Sequence, residues 1–422
     1  MIDENTRILM INSQSIYKNN ATGITARSIV SNIPRRSIME LYRYKSRDSV
    51  NFQYDFESVQ IPPKSMPVNY FIRKFLKLDN VYDQQNVSGL NYSKNIKYSW
   101  KSVISNILKN YCENSFICPE RAFLKKIDEF SPTVIYTMGA STFVHNWVLY
   151  FAKRYHCPIV IHYMDNWRET TYKQDQRLKP ILHLQEKQLR MMEDKMTYGL
   201  VISEAMAEYY TKTYGKKFLP LMNTVNDHRC ADSQHSELQI VYAGGLHLNR
   251  NKSLQDVSSI VEKIDGVKLI VFTSTENMER YQNEFLEFKK TEFRQAVPHS
   301  LIHRVYNEAD VLLHIESFDP GIQEFTKYSL STKIPEYMGA NKAILCYAPE
   351  AIESYQYIKR YNVGLCVSNK NDLTKAILQM LSQNKRDELI QHTKRTVEKN
   401  HSIKHMEEVL EQVFCERVTN EK

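Results

Sequence analysis

Short apolar runs alternate with helix-like stretches along almost the whole chain, and the alternation breaks once. In the first half, RILMIN (7–12), 134–138, PIVIHYM (158–164) and GLVIS (199–203) read as strands. In the second half the strand-like runs are 238–243, 267–272, 311–315, 343–346 and 363–367. Helical spacing fills the gaps near 254–264, 276–290, 301–307, 332–340, 350–359 and 372–382, with a charged helical stretch over 385–416. Runs that are apolar at every position belong to strands covered on both faces, and strand–helix alternation builds parallel sheets. Residues 219–237 (LPLMNTVNDHRCADSQHSE) are polar and aperiodic and read as the linker between two such domains. With 422 residues the chain can bury two cores.

Other classes are excluded. No apolar run approaches the roughly 20 residues of a spanning helix. The first seven residues are mixed in charge, unlike a secretory signal. Seven scattered cysteines with no Cys-x-x-Cys argue against a disulfide framework or structural zinc, and for a reducing cytosol.

The net charge of +8 is unevenly spread. Residues 64–126 hold 11 Lys+Arg against 4 Asp+Glu, interleaved with Tyr70, Phe71, Phe75, Tyr82, Tyr92, Tyr98, Trp100 and Tyr111. That mixture suits an anionic partner, either a membrane surface or nucleic acid; the plain alternative is a solvated helical face. No nucleic-acid module is present, so nucleic acid is not an expected partner.

Four segments carry chemistry. In YSLSTKIPEYMGA (328–340), Ser331 or Thr332 can cap a helix with Pro335 in its first turn. Lys333 sits where the helix dipole prefers an anion, a conflict that points to an anionic ligand such as phosphate; Glu336, one turn in, can accept from a ribose. In YAGGLHLNRNK (242–252), Gly244 and Gly245 end a strand and permit close backbone approach, with Arg250 and Lys252 beyond to neutralise a diphosphate. Neither a dinucleotide-binding nor a P-loop glycine pattern occurs. Gly23 falls in a loop after the first strand, and His162 and Asp165 close the strand over 158–164, able to meet a substrate hydroxyl or steer a proton. An amphipathic helix, a satisfied histidine and a turn-forming aspartate are the plainer readings. No Asp-x-Asp pair occurs, so metal-independent chemistry and no cofactor are expected.

These segments together resemble glycosyltransferase family 4, of the GT-B fold. SPTVIYTMG is similar to the family's "D-P-D-V-I-h" strand, and YGLVISEAMAEYYTKTYG to its "A-D-x-V-I-x-x-S-E" strand and helix, with Asn223 as the following Asn. YAGGLHLNR resembles the opening of the donor domain, VYNEADVLLHIES the "Y-x-x-A-D-h-h-h-x-P-S" segment, and STKIPEYMGANKAIL the helix "E-x-x-A-x-G-x-P-V-I".

The resemblance implies two Rossmann-like domains facing each other across a cleft. It gives 1–222 for the acceptor, 238–395 for the nucleotide sugar, and a C-terminal helix, 396–422, packing back on the first domain. It implies retaining transfer of a sugar from a nucleotide sugar to a saccharide or lipid-linked acceptor, as in capsule, exopolysaccharide or O-antigen synthesis. The place would be the cytoplasm, at the inner face of the membrane. By position, Arg250 and Lys252 would neutralise the leaving diphosphate, Ser331 and Thr332 would offer backbone amides, and Gly23 would lie in the closing loop. His162 or Asp165 would touch the sugar. Glu336 matches the second glutamate of the family's E-x7-E motif; the first is replaced by Tyr328, and Glu324 is wrongly spaced to stand in. Two other readings stay open: a hydrolysing sugar-nucleotide epimerase of the same fold, and a non-catalytic partner of another glycosyltransferase.

Overall fold

The computed structural model describes residues 4–17, 21–44, 56–75, 99–173, 175–225 and 235–415. Tyr82, Tyr92, Tyr98 and residues 226–234 of the expected linker lie outside them. The chain divides into two units, Met1–Leu221 with Met406–Lys422, and Met222–His405.

The first unit is built on parallel strands β1 (Ile8–Gln14), β2 (Ile38–Tyr44), β3 (Glu57–Gln60), β4 (Val134–Thr137), β5 (Ile159–Tyr163), β6 (Met196–Val201) and β7 (Phe218–Pro220). Their order across the sheet is β3-β2-β1-β4-β5-β6-β7. Helices α1 (Ala21–Val30), α2 (Pro67–Phe75), α3 (Trp100–Glu113), α4 (Arg121–Phe130), α5 (Thr142–Tyr155), α6 (Trp167–Thr170), α7 (Lys179–Glu193) and α8 (Glu204–Tyr214) accompany them. Ile8, Leu9, Met10 and Ile11 are all fully buried, as a strand covered on both faces requires. Serines set the helix starts: Ser141 Oγ accepts from Val144 N–H and Ser203 Oγ from Met206 N–H, and Gly215, at φ +66°, ends α8.

The second unit repeats the plan. Strands β8 (Leu238–Ala243), β9 (Val267–Thr273), β10 (Thr291–Gln295), β11 (Val311–Ile315), β12 (Ala343–Tyr347) and β13 (Gly364–Val367) order as β10-β9-β8-β11-β12-β13. Its helices are α9 (Arg250–Val261), α10 (Thr275–Tyr281), α11 (Ile302–Asn307), α12 (Pro320–Thr326), α13 (Lys333–Gly339), α14 (Glu353–Tyr361), α15 (Lys370–Met380) and α16 (Gln383–Asn400). One core lies on each face of the sheet: Ile240 and Tyr242 enter one, Val241 and Ala243 the other. In both sheets strand order reverses beside the first strand, at β1/β4 and at β8/β11. Such points are where open α/β sheets bind ligands.

The final helix, α17 (Ile403–Cys415), returns to the first unit. Met406, Leu410 and Val413 join the core of β1 and β4, and the Phe414 ring meets Tyr136 edge-on at 5.7 Å.

Several sequence expectations need correction. Gly23 lies in the first turn of α1, not in a loop. First-turn amides need no helical partner, so a glycine there costs little, and Ala26, Ile29 and Val30 supply the buried face. Residues 218–220 extend the first sheet as β7, so the linker starts later than 219; Pro220 is tolerated on an edge strand. The expected helix 276–290 ends at Tyr281, a short turn carries Phe285 into the core, and β10 follows.

Candidate functional site

The strand ends at β8/β11 gather the segments that the sequence keeps apart. Leaving β8, the chain passes through Gly244 and Gly245 and enters α9 at Arg250. Lys333 opens α13 and reaches back over β8: its Nζ lies 4.5 Å from the centre of the Tyr242 ring and donates to Tyr242 Oη at 3.3 Å. The space above Gly244 is taken by this lysine, since a Cβ there would lie 1.9 Å from Nζ. A side chain at 244 would displace Lys333, which is a sharper reason for glycine than any turn.

Arg250 is held by Glu316, one residue beyond β11. Its Nη2 donates to Glu316 Oε1 and Oε2 at 2.9 and 2.8 Å, and Nε to Oε2 at 3.1 Å. Both side chains are nearly buried, at 14% and 4% exposure. Burial works against both charges, but the pairing wins: Arg250 is held above its ordinary pKa and Glu316 below the usual carboxylate range. For Lys333 the attraction of Glu316 and Glu336 does not make up the loss. Burial, with Arg250 adding repulsion, brings it down to about 7. His314, the buried fourth residue of β11, has Nε2 3.6 Å from Glu316 Oε1 and is pushed down to about 4 by burial. The cluster therefore holds Arg250 charged, Lys333 half-charged and Glu316 as counter-ion. An anion brought to it would return the full proton to Lys333.

Glu336 faces the same end of the sheet one turn into α13. Tyr306 Oη donates to its Oε2 at 2.7 Å, and His299 Nε2 lies 3.0 Å from its Oε1. Ser331 N–H donates to Ser354 Oγ, so this amide is already engaged. Thr332 precedes α13 with no side-chain capping bond. Lys252 is exposed and about 200° around α9 from Arg250, as any i, i+2 pair must be. With Asn249, Asp256, Ser317 and Tyr347 it lines a cavity of about 230 Å³. Lys333, not Lys252, is thus the cation beside Arg250. Gly245 is hemmed by His247, whose Nδ1 would lie 2.5 Å from a Cβ there. Glu324 lies exposed on α12, and Lys327 Nζ stands 5.2 Å from the Tyr328 ring.

The corresponding point of the first unit, β1/β4, is lined differently. Asn12 Oδ1 accepts from Met138 N–H, Ser13 and Ser141 hydroxyls meet at 3.0 Å, and Thr137 Oγ1 donates to Ile11 C=O. Glu40 is buried and spent on structure: it accepts from the Ser15 and Ser58 hydroxyls and Ile16 N–H, fixing the chain after β1. His162 is fully buried, with Nδ1 2.8 Å from Tyr136 Oη, and burial pushes it down to about 3. It is a neutral core histidine. Asp165 is half-buried, accepts from Trp167 N–H at 3.1 Å, and is pushed up to about 6 by burial. Of the two, only Asp165 reaches the surface. Among the described residues no cluster of three His, Cys, Asp or Glu side chains could hold a metal, and no helix is long and apolar enough to cross a membrane.

Sequence reasoning missed Glu316 and His314. The pattern "HIES" at a strand end carries a carboxylate where the run should stay apolar, and that was the available signal.

Residues 252–412 match the model of a family described as glycosyl transferase-like. No curated protein matches the chain. Among solved structures it is similar to a glycosyltransferase from Rickettsia africae, at TM-score 0.61 and 9% identity, covering 99% of this chain and 100% of that one. It is also similar to WaaG, a glycosyltransferase involved in lipopolysaccharide biosynthesis, at TM-score 0.59 and 11% identity over 96% and 99%. Anabaena HepE, solved with UDP, gives TM-score 0.62 and 9% identity over 96% and 99%. The chain has the two-domain, Rossmann-like GT-B fold, and most of the residues that match the glycosyl transferase-like model lie in its second unit.

Proposed function

We propose that this chain is a glycosyltransferase of the hexosyltransferase type. It moves a sugar from a nucleotide sugar to a saccharide or lipid-linked acceptor, with retention and without a metal, in surface-polysaccharide synthesis. The observation that carries the reading is the buried Arg250–Glu316–Lys333 cluster beside the Gly244–Gly245 backbone at the strand-order reversal of the second sheet. That position and charge suit a diphosphate, and the family match over the same unit and the UDP in the HepE structure support it.

In this reading Arg250 and Lys333 stabilise the charge that grows on the departing diphosphate. Lys333 takes up a proton as the donor binds. Glu336 turns its carboxylate to the ribose, and the half-exposed His299 moves aside. Lys252 faces the neighbouring cavity, large enough for a sugar ring. The neutral hydroxyl and amide lining at β1/β4 suits an acceptor sugar, and Asp165, after β5, is the partly exposed carboxylate that could meet it. The acceptor proton passes to a donor phosphate oxygen, so no protein base is required. The basic, aromatic segment 64–126 meets the membrane that holds a lipid-linked acceptor.

The test is turnover with UDP-, GDP- and ADP-sugars and polyprenyl-diphosphate saccharide acceptors, with and without EDTA. Acceptor-dependent release of nucleoside diphosphate, unchanged by EDTA and with anomeric configuration retained by NMR, is expected. Release of an epimerised free sugar would mark an epimerase instead. Nucleotide binding without turnover would mark a non-catalytic partner.

A further inference from the structure

Two cysteines far apart in the sequence meet on one face of the second sheet. Cys346 is the fourth residue of β12 and Cys366 the third of β13, and the parallel register sets them directly opposite each other. Paired positions of a sheet share a face. Both side chains lie in the core that α13 and α14 cover. The two thiols hydrogen-bond, and Cys366 Sγ also donates to Tyr355 C=O at 3.6 Å. They differ in exposure. Cys346 is fully buried, whereas β13 is the last strand of the sheet and Cys366 is partly exposed. Burial, with the contact to Cys366, pushes the Cys346 thiol well up, so Cys366 is the sulfur that an oxidant meets first.

Neighbouring strands stand about 4.8 Å apart. That is inside the roughly 4.4–6.8 Å between Cα atoms that a disulfide spans. In a parallel pair the two Cα–Cβ bonds run side by side, so the Cβ atoms stand about as far apart as the strands, wider than the roughly 3.8 Å of a relaxed bridge. A bond between these sulfurs is therefore within reach but strained, and strained disulfides are the readily reduced ones. Both strands also lead to one further residue. Tyr347, next to Cys346, donates from Oη to Asp256 Oδ2 at 3.0 Å. Lys370, which opens α15 just after β13, has its Nζ 2.8 Å from Asp256 Oδ1. Asp256 and Tyr347 line the same cavity as Lys252. Drawing β13 toward β12 is thus felt on the wall of that cavity.

We propose that Cys346 and Cys366 are a redox-active pair: a small-molecule disulfide oxidises them to a bridge across β12 and β13, and excess thiol opens it again. The Cys366 thiolate attacks one sulfur of the small disulfide and expels the other half, which takes up the Cys366 proton and leaves as a thiol. The Cys346 sulfur then attacks Cys366 Sγ. That breaks the mixed disulfide and releases the second half, which takes up the Cys346 proton. Two protein thiols are oxidised, and the small disulfide is reduced to two thiols. A transient bridge of this kind suits a reducing compartment, where permanent disulfides are rare. The inference does not rest on the sugar chemistry.

The test is incubation of the folded full chain with oxidised glutathione, followed by alkylation of the remaining thiols and peptide mapping by mass spectrometry. The expected result is a Cys346–Cys366 bridge, with loss of both thiols from alkylation, while the exposed Cys118 takes up glutathione as a mixed disulfide. Excess reduced glutathione should reopen the bridge. Cys346→Ala, which lacks the second thiol, should stop at a glutathione adduct on Cys366, and Cys366→Ser should leave the buried Cys346 unmodified. Hydrogen exchange of wild type around Asp256 and Tyr347 should change on oxidation and return with thiol. Free thiols at Cys346 and Cys366 in a chain whose Cys118 is modified would overturn the inference and leave both as small core residues. A bridge that forms only in guanidinium, or that reduced glutathione does not open, would overturn it too. Unchanged exchange around Asp256 would overturn the link to the cavity. The map of wild type decides the matter even if a variant fails to fold. Because no donor is present, none of these outcomes depends on whether the chain transfers a sugar.

Discussion

The two strand-order reversals are the same piece of topology with opposite chemistry. At β8/β11 the lining is ionic and largely buried: Arg250, Glu316 and Lys333, with the buried His314 beside them. At β1/β4 it is hydroxyls and amides, and the one buried carboxylate, Glu40, is consumed in holding the backbone. A fold that leaves a crevice at each reversal says nothing about what enters it. The residues do: buried charge recognises an ionic group such as phosphate, while neutral hydrogen-bonding groups recognise hydroxyls. If the comparison holds, damage at β8/β11 should abolish anion binding, and damage in the first unit should leave anion binding unchanged.

The largest effect belongs to Arg250. Arg250→Ala removes a phosphate ligand and leaves Glu316 buried without its partner, a loss of about 3–5 kcal/mol in unfolding free energy by denaturant titration. Replacing both, as Arg250→Met with Glu316→Met, should restore most of the stability while nucleotide affinity stays lost. That split separates the pair's structural role from its ligand role. If the double variant bound nucleotide normally, the charged reversal would be structural only.

Next comes Lys333→Met, expected to weaken nucleoside-diphosphate binding about 10–100-fold by calorimetry. The pH behaviour sharpens this. With Lys333 near 7 in the folded protein against an ordinary 10.5, the unfolded chain binds more protons between those values. The stability of the ligand-free protein therefore gains from this residue as pH rises from about 7 to 10.5. At pH 8, nucleotide binding should take up a proton, seen as a heat that varies with the buffer. Lys333→Met should abolish both signatures.

The smallest effect on binding is His162→Asn. Loss of the Tyr136 contact should cost about 1–3 kcal/mol of stability, with nucleotide affinity unchanged. The sign also follows for pH. His162 sits near 3 when folded and near 6.5 when free, so the unfolded chain binds more protons between them, and stability is lost as pH falls through that window. His145, His314 and His401, each near 4 through burial, share that loss, so the variant should reduce acid sensitivity only in part.

Much of the fold was legible because the central strands are apolar at every position; β8 and β11 match their sequence ranges at both ends. The missed strands have physical reasons. β3 and β10 are half-exposed sheet edges, β7 is three residues long, and β2 carries Glu40 and Arg43 inside its apolar run. Helix α12 was missed despite a readable start, Asp319 accepting from Gly321 and Ile322 N–H with Pro320 in the first turn. At the candidate site, the conflict of a lysine at a helix start singled out Lys333 as facing an anionic ligand; the structure sets it over Gly244, against Tyr242. The pairing of Lys333 with Gly244, and of Arg250 with Glu316, spans 89 and 66 residues and is created only by the parallel order of β8 and β11. No local pattern encodes it.

The most direct test of the central claim is the thermal shift of the purified chain with UDP, GDP, ADP and CMP, beside Lys333→Met and the Arg250→Met, Glu316→Met pair. A ligand at 100 times its dissociation constant adds about 2.7 kcal/mol, a readily measured rise. The account predicts that a nucleoside diphosphate raises the melting temperature of wild type, raises that of Lys333→Met clearly less, and leaves that of the Arg250→Met, Glu316→Met pair unchanged. A rise that survives in both variants, or no rise with any nucleotide, would contradict it.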